Sequence, residues 1–304
     1  MKLAPVALFV YNRADNTRRT LEALAANSLA RQTEVYVFSD GGKDPPSWTQ
    51  VNEVRQTVRE FASEFKTFTL VERSENIYLE RNITEGIAQV FETHDRIIVL
   101  EDDIVTSPRY LQYMNEAFDL YHDVPRVMHV AGFTNLSLTD TPFYFTPHMS
   151  GWGWGTWRNR WNEHFRHYKT REEALDGLTP ADLDALQYGG VFRCLQSLDK
   201  RPIPWDICWE IAIYRAQGLC LTPGRTMVRN IGLSQGTHFR SCSLLQWYEF
   251  DREPQQQPLP LVRIANPQKD PAIETLFAQA ITDWGIRYTA LGKVARYIYK
   301  KVRE

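Results

Sequence analysis

Three carboxylates in succession, Glu101-Asp102-Asp103, follow the apolar run from Ile97 to Leu100. Carboxylates this close repel one another unless a cation or cationic side chains sit among them. Oxygen donors of this kind suit Mn2+ or Mg2+, ions that keep waters and substrate phosphates in their remaining positions. A nucleoside diphosphate is then the natural ligand; an acidic turn capping the next helix is the plainer alternative. Two earlier loops bear on the choice. Asn12-Arg13 offers an amide and a guanidinium, suited either to a base edge or phosphate or to a surface ion pair. Asp40-Gly41-Gly42 offers a carboxylate beside glycines that let backbone approach a ring, or simply a turn. Neither G-x-G-x-x-G nor G-x-x-x-x-G-K-[ST] is present, which argues against dinucleotide and P-loop sites.

A second group of residues lies downstream. In Ser150-Gly151-Trp152-Gly153-Trp154 glycines alternate with indoles, giving flat apolar platforms suited to the C–H faces of sugar rings. Trp154, Trp157 and Trp161 also recur at helical spacing, as in a buried helix. Trp152 and Trp154 are the ligand candidates, and Trp157 and Trp161 are read as core. In Trp205-Asp206-Ile207-Cys208-Trp209-Glu210 the two carboxylates share a helix face at i, i+4. A carboxylate beside indoles would hold protons more tightly and act as a general base, unless the pair merely opens a helix and forms a salt bridge. Asn230 to His238 is a glycine-containing loop that would fold over a diphosphate or offer an imidazole to a metal, or else is an ordinary surface loop.

These residues need elements to hold them. Val6–Tyr11, Val35–Phe38, Phe68–Val71, Ile97–Leu100 and Val127–Ala131 read as short strands bounded by polar turns. Between them, Leu21 and Leu24, then Val51 to Phe61, Ile83 to Phe91 and Tyr110 to Tyr121, carry helical spacing. That alternation predicts an α/β fold with a mainly parallel sheet covered on both faces, whose ligands bind outside the carboxyl ends of the strands. All three polar loops lie there. Beyond residue 132 six of the nine tryptophans fall between 152 and 209, and helices are expected near 180–197 and 205–218. Residues 251–268, with three consecutive glutamines and four prolines, read as an extended connector.

The 304 residues, 43% of them hydrophobic and 24% charged, suffice for a core without disulfides. No apolar stretch approaches the roughly 20 residues of a membrane span. The apolar N-terminus, interrupted by Pro5 and followed at once by Arg13, Asp15, Arg18 and Arg19, reads as a strand rather than an export signal. Cys194, Cys208, Cys220 and Cys242 are too widely spaced for a metal motif, so they are read as reduced and the protein as cytoplasmic. The net charge of −2 splits unevenly, and residues 281–304 carry six basic and two acidic groups. Their spacing predicts an amphipathic basic helix, suited to lie on an anionic membrane surface or to pack on the domain or a second subunit.

Taken in order, the Tyr-Asn-Arg, Ser-Asp-Gly-Gly, Glu-Asp-Asp, Gly-Trp-Gly-Trp and Trp-Asp motifs resemble the GT-A-fold glycosyltransferases. The likeness is to the branch around the N-acetylglucosaminyltransferases that begin N-glycan branching, and to bacterial polysaccharide sugar transferases described as haemolysin-like. It covers most of residues 4–240. The resemblance implies a Rossmann-like GT-A domain over residues 1–250. Residues 1–131 would form its nucleotide-sugar half and 132–250 its acceptor half, followed by the connector and a C-terminal helical extension over 269–304. It implies that Asp103 ligates Mn2+ (or Mg2+) and that Glu101 and Asp102 contact the nucleotide-sugar. Asn12, Arg13 and Asp40 would line the nucleoside pocket, His238 would lie in a loop ordering over the donor, and Asp206 would be the base. The animal enzymes have two adjacent aspartates at that last motif, so Glu210 stays as the alternative base. The expected activity is metal-dependent inverting transfer of a hexosyl or N-acetylhexosaminyl group from a nucleotide-sugar, a UDP-sugar by preference, to a glycan or lipid-linked glycan in bacterial surface polysaccharide assembly. A retaining transferase and a non-catalytic carbohydrate-binding protein are the alternatives. No nucleic-acid partner is expected.

Overall fold

Val6–Val10 is apolar at every position, the pattern of a strand covered on both faces. In the computed structural model, which describes residues 2–187, 194–232, 253–257 and 260–287, it is strand β1 and is buried throughout. Three strands run parallel with it, giving the order β3 (Thr67–Glu72), β2 (Glu34–Ser39), β1, β4 (Arg96–Glu101). Phe9 stands level with both Phe38 and Glu101. The residues following β1, β2 and β4 therefore leave the sheet along one edge.

The chain reverses at Asp102–Asp103 into β5 (Ile104–Thr106) and later returns to extend the sheet with β6 (Val127–Ala131), β7 (Phe143–Thr146), β8 (Trp154–Trp157) and β9 (Leu219–Pro223). The full order is β3-β2-β1-β4-β8-β6-β9-β7, with β10 (Val228–Asn230) pairing only with β5. Four of the seven neighbouring pairs in the large sheet are parallel. The fold is α/β with helices on both faces, as expected.

Strand alternation divides the core. Val6, Leu8 and Val10 face helices α1 (Ala14–Ala25), α2 (Pro45–Arg59) and α4 (Tyr110–Tyr121), while Ala7 and Phe9 face α3 (Tyr78–Phe91). Asp44 caps α2 reciprocally with Ser47, which defines where the loop after β2 ends. After β8 come α5 (Arg158–His164), α6 (Arg171–Leu175), α7 (Pro180–Leu186) and α8 (Trp205–Arg215). Leu186, Leu195, Leu198 and Ile211 form a smaller core among the last of these.

Two expectations are corrected. Trp154 and Trp157 are not helical: they belong to β8, and only Trp161 lies on a helix, α5. Cross-strand pairing of Trp154 with Val99 and Ala131 overrides the helical spacing of the indoles. Nor does one helix run from 180 to 197: α7 ends at Leu186, and a 3-10 helix occupies Cys194–Asp199. Gly189 and Gly190, poor helix formers, fall within that span of the sequence.

Residues 253–257 and 260–270 form neither helix nor strand, yet they are tied down. Ser107 donates to the Gln255 carbonyl at 2.6 Å, and Arg263 forks onto Asp123 at 2.8 and 2.9 Å. Helix α9 (Pro271–Arg287) follows, its first turn capped by Asp270. Side chains 281–287 and all of 288–304, where the basic face was expected, lie outside the described residues. Among the described residues no helix is long and apolar enough to cross a membrane.

Candidate active site

Strand β4 carries Glu101 to the sheet edge, and the reversal after it places Asp102 and Asp103 beside it. Pairing of β5 with β10 then brings the chain back over this turn. Ile231 donates its N–H to the Asp103 carbonyl at 2.9 Å. At Gly232 a Cβ would overlap the Asp103 carboxylate and approach Arg13 to 2.9 Å, so any other residue here would push the Asp103 and Arg13 side chains aside.

Arg13, arriving from β1, reaches into the turn. Its Nη2 pairs with Asp102 and its Nη1 lies 3.0 Å from Asp103. Burial alone would lower the Arg13 pKa, but the two carboxylates hold it above its ordinary value. One guanidinium does not balance three carboxylates. Burial, reinforced by Asp103 and Asp102, pushes Glu101 well above the carboxylate range, and burial raises Asp102 to about 6 against the pull of Arg13. Asp103 is raised by burial too.

The loop after β2 is built around Asp40. Its Oδ1 accepts the N–H groups of Gly41 at 2.9 Å and Ile77 at 2.8 Å, and its Oδ2 accepts Asn76 Nδ2 at 2.9 Å. Asp40 thus anchors the entry to α3 as well as lying at the edge. Asn12 donates to Gln50 at 2.9 Å on the exposed rim. Lys43 and Tyr78, which the sequence motifs did not single out, sit with them. The Lys43 ammonium lies 5.7 Å from the Tyr11 ring centroid and 4.8 Å from that of Tyr78. Tyr78 is 59% exposed and holds a left-handed backbone, φ 66°, which costs a residue with a Cβ about 1 kcal/mol or more. An apolar side chain at a helix start gives no sequence signal of that kind.

On the opposite wall Trp205 stacks on Trp154, at 5.1 Å and 14°, and Trp154 is the strand partner of Val99, two residues before Glu101. That stack sets α8 beside β4. Asp206 follows Trp205 and is close enough for its charge to raise the Glu101 pKa. Burial also raises the pKa of Asp206 itself. Its Oδ1 accepts the Ile207 N–H at 2.9 Å, and Oδ2 accepts no hydrogen bond among the described residues. The structure thus brings Arg13, Glu101, Asp102, Asp103 and Asp206 together.

A family model described as glycosyltransferase like family 2 matches residues 4–173, more than half of the chain. The chain belongs to that family. Solved structures similar to this glycosyltransferase include a mannosyltransferase from Pyrobaculum calidifontis, described in complex with GDP-Man and Mn2+. It is 14% identical with a TM-score of 0.42, and the match covers 70% of this chain and 68% of that one. S. aureus TarS is 9% identical with a TM-score of 0.47, over 82% of this chain and 44% of its own. A UDP-glucose pyrophosphorylase complexed with UDP-glucose is 12% identical with a TM-score of 0.39, over 76% and 94%. No curated protein matches the sequence.

Within the glycosyltransferase the remaining candidates separate. Trp154 is corrected as a ligand platform: it is fully buried, with His129 and Trp205 both stacked on it. Trp152 is partly buried, edge-on to Phe133 at 4.5 Å. Glu210 is also corrected as a base, because it is 4% exposed and engaged through both oxygens. One pairs with His148 Nδ1 and the other accepts the Met149 N–H at 2.9 Å. His238 lies outside the described residues. Among the described residues no group of three or more His, Cys, Asp or Glu side chains is placed so that it could hold a metal ion. The acidic turn still supplies oxygen donors of the kind a divalent cation takes, and among the described residues Arg13 is the cation paired with them.

Proposed function

We propose that the enzyme is a metal-dependent inverting transferase that moves a sugar from a nucleotide-sugar, a UDP-sugar by preference, to the hydroxyl of a glycan or lipid-linked glycan. The observation that carries this reading is Asp206, a carboxylate of raised proton affinity with one oxygen unengaged, in the electrostatic neighbourhood of the acidic turn. Asp206 takes the proton of the acceptor hydroxyl as its oxygen bonds to the anomeric carbon. The bond from that carbon to the diphosphate breaks on the opposite face, and the nucleoside diphosphate leaves with the bonding electrons. Asp103 would hold Mn2+ or Mg2+, which when bound neutralises charge on the leaving diphosphate. Arg13 adds fixed positive charge at the turn, and Asp102 holds it there. Asn12, Asp40, Lys43 and the rings of Tyr11 and Tyr78 provide polar and stacking surfaces for the nucleoside. Trp152 offers the sugar face that Trp154 cannot. Arrangement of the chain into residues 1–250, the connector and a basic C-terminal helix suits a peripheral enzyme of surface polysaccharide assembly.

The test is release of nucleoside diphosphate from a panel of UDP-, GDP-, CMP- and dTDP-sugars with mixed glycan acceptors and Mn2+. Asp103→Ala and Asp206→Ala should each lower the rate by about a hundredfold or more. Wild-type rates in both variants would overturn the proposal.

A further inference from the structure

We infer that Glu210 is a positioning residue which, with His148 and a neutral His129, clamps the Gly-Trp segment of the acceptor wall to the helix that carries Asp206. The inference rests on Asp206 as the base and adds to that reading a device that holds the base in register with the opposing wall.

Asp206, Trp209 and Glu210 are three and four residues apart on α8 and therefore share one face, about one turn from end to end. Glu210 grips the chain just ahead of Trp152 directly, and Trp209 reaches it through His129. Glu210 accepts the Met149 N–H at 2.9 Å and pairs with His148 Nδ1. Trp209 donates its Nε1–H to His129 Nδ1 at 3.3 Å, and His129 Nε2 lies 3.2 Å from the Ser150 carbonyl. With Nδ1 accepting, His129 is the neutral tautomer whose Nε2–H donates to Ser150. Complete burial holds it neutral, with its pKa lowered to about 3. The next residue, Gly151, lies against Trp205, where an added Cβ would stand 3.6 Å from the indole. Residues 148–151 are thus fastened along the first two turns of α8, and Trp152 follows directly. His148 in turn stacks on Phe277 of α9, with centroids 6.1 Å apart and planes at 7°. A shift of this segment by about 1 Å would misplace acceptor and base relative to each other, enough to cost about a hundredfold in rate.

Gln at position 210 can keep both contacts, its oxygen accepting from Met149 and its NH2 donating to His148 Nδ1, but it cannot take a proton as a base. The experiment compares wild type, Glu210→Gln, Glu210→Ala and Asp206→Asn in three readouts. These are amide hydrogen exchange of residues 147–153, calorimetric binding of UDP and GDP each with Mn2+, and nucleoside diphosphate release. Glu210→Gln should match wild type within about threefold in release and in exchange. Glu210→Ala should exchange faster at 147–153 and release more slowly by about tenfold or more, while nucleotide affinity stays within about twofold. Should Glu210→Ala not fold, Glu210→Gln decides alone. The inference is overturned if Glu210→Gln is as inactive as Asp206→Asn with wild-type exchange, or if Glu210→Ala exchanges like wild type. Wild-type release by Asp206→Asn would instead overturn the base assignment and leave the clamp to be judged by exchange.

Discussion

The acidic turn at Glu101–Asp103 and the buried carboxylate of Glu210 are partnered in opposite ways. In the turn three carboxylates share one guanidinium, and burial raises the pKa of all three. At Glu210 a single carboxylate has both oxygens engaged, by an imidazole and a backbone N–H. The first arrangement costs folding energy and leaves room for positive charge to arrive with a ligand; the second is complete and fixes two elements together. On one scaffold, the turn is left short of positive charge, while Glu210 has both oxygens hydrogen-bonded within the frame.

Removing Arg13, the turn's only counter-charge among the described residues, should break the comparison most severely. Arg13→Ala is expected to cost about 3 kcal/mol in denaturant unfolding at neutral pH, because uncompensated charges stay buried. Millimolar Mn2+ should raise the melting temperature of this variant more than that of wild type; no shift in either protein would show that no cation enters the turn. Asp40 tests whether an edge carboxylate can be frame as well as ligand. Asp40→Ala strands the Gly41 and Ile77 N–H groups and should cost about 2 to 3 kcal/mol in the same measurement. A loss confined to nucleotide affinity would make Asp40 a ligand only.

Acidification attacks the compensated region instead. His129 has its pKa lowered to about 3 in the folded protein, against an unfolded value near 6.5. Its contribution is therefore fully present above pH 6.5 and is lost as pH falls through the window between those values. Protonation would set an Nδ1–H against the Trp209 N–H. Between pH 6.5 and 5 this amounts to about 2 kcal/mol, and that loss should be absent in His129→Gln, leaving the opposite trend of the buried carboxylates, which take up protons more readily in the folded state. An unchanged slope in that variant would place the titration elsewhere. The smallest effect is expected at the rim. Tyr78→Gly relieves the left-handed backbone, so its melting temperature should not fall, while nucleotide affinity weakens a few-fold with loss of the ring.

The carboxyl edge of the parallel strands was legible because its signals are local. Val6–Val10 is apolar throughout, Ile97–Leu100 runs straight into Glu101, and the parallel register then brings Arg13, Asp40 and Asp103 to one edge without further information. The wall around α8 depends on partners far apart in sequence. Nothing near Glu210 announces His148, 62 positions away, and nothing near His129 announces Trp209, 80 away. The indoles at 154 and 157 suited a helix by spacing, and only pairing of β8 with β4 and β6 decides otherwise. Gly232 against Asp103 likewise follows from the β5–β10 ladder rather than from any motif.

Calorimetric titration of UDP and GDP into the full chain, with Mn2+ or with EDTA, tests the central claim most directly. The account predicts that at least one of the two binds with Mn2+, that EDTA abolishes the binding, and that Asp103→Asn lowers the Mn2+-dependent affinity by about tenfold or more. Binding of equal strength in EDTA, or in Asp103→Asn, would contradict it.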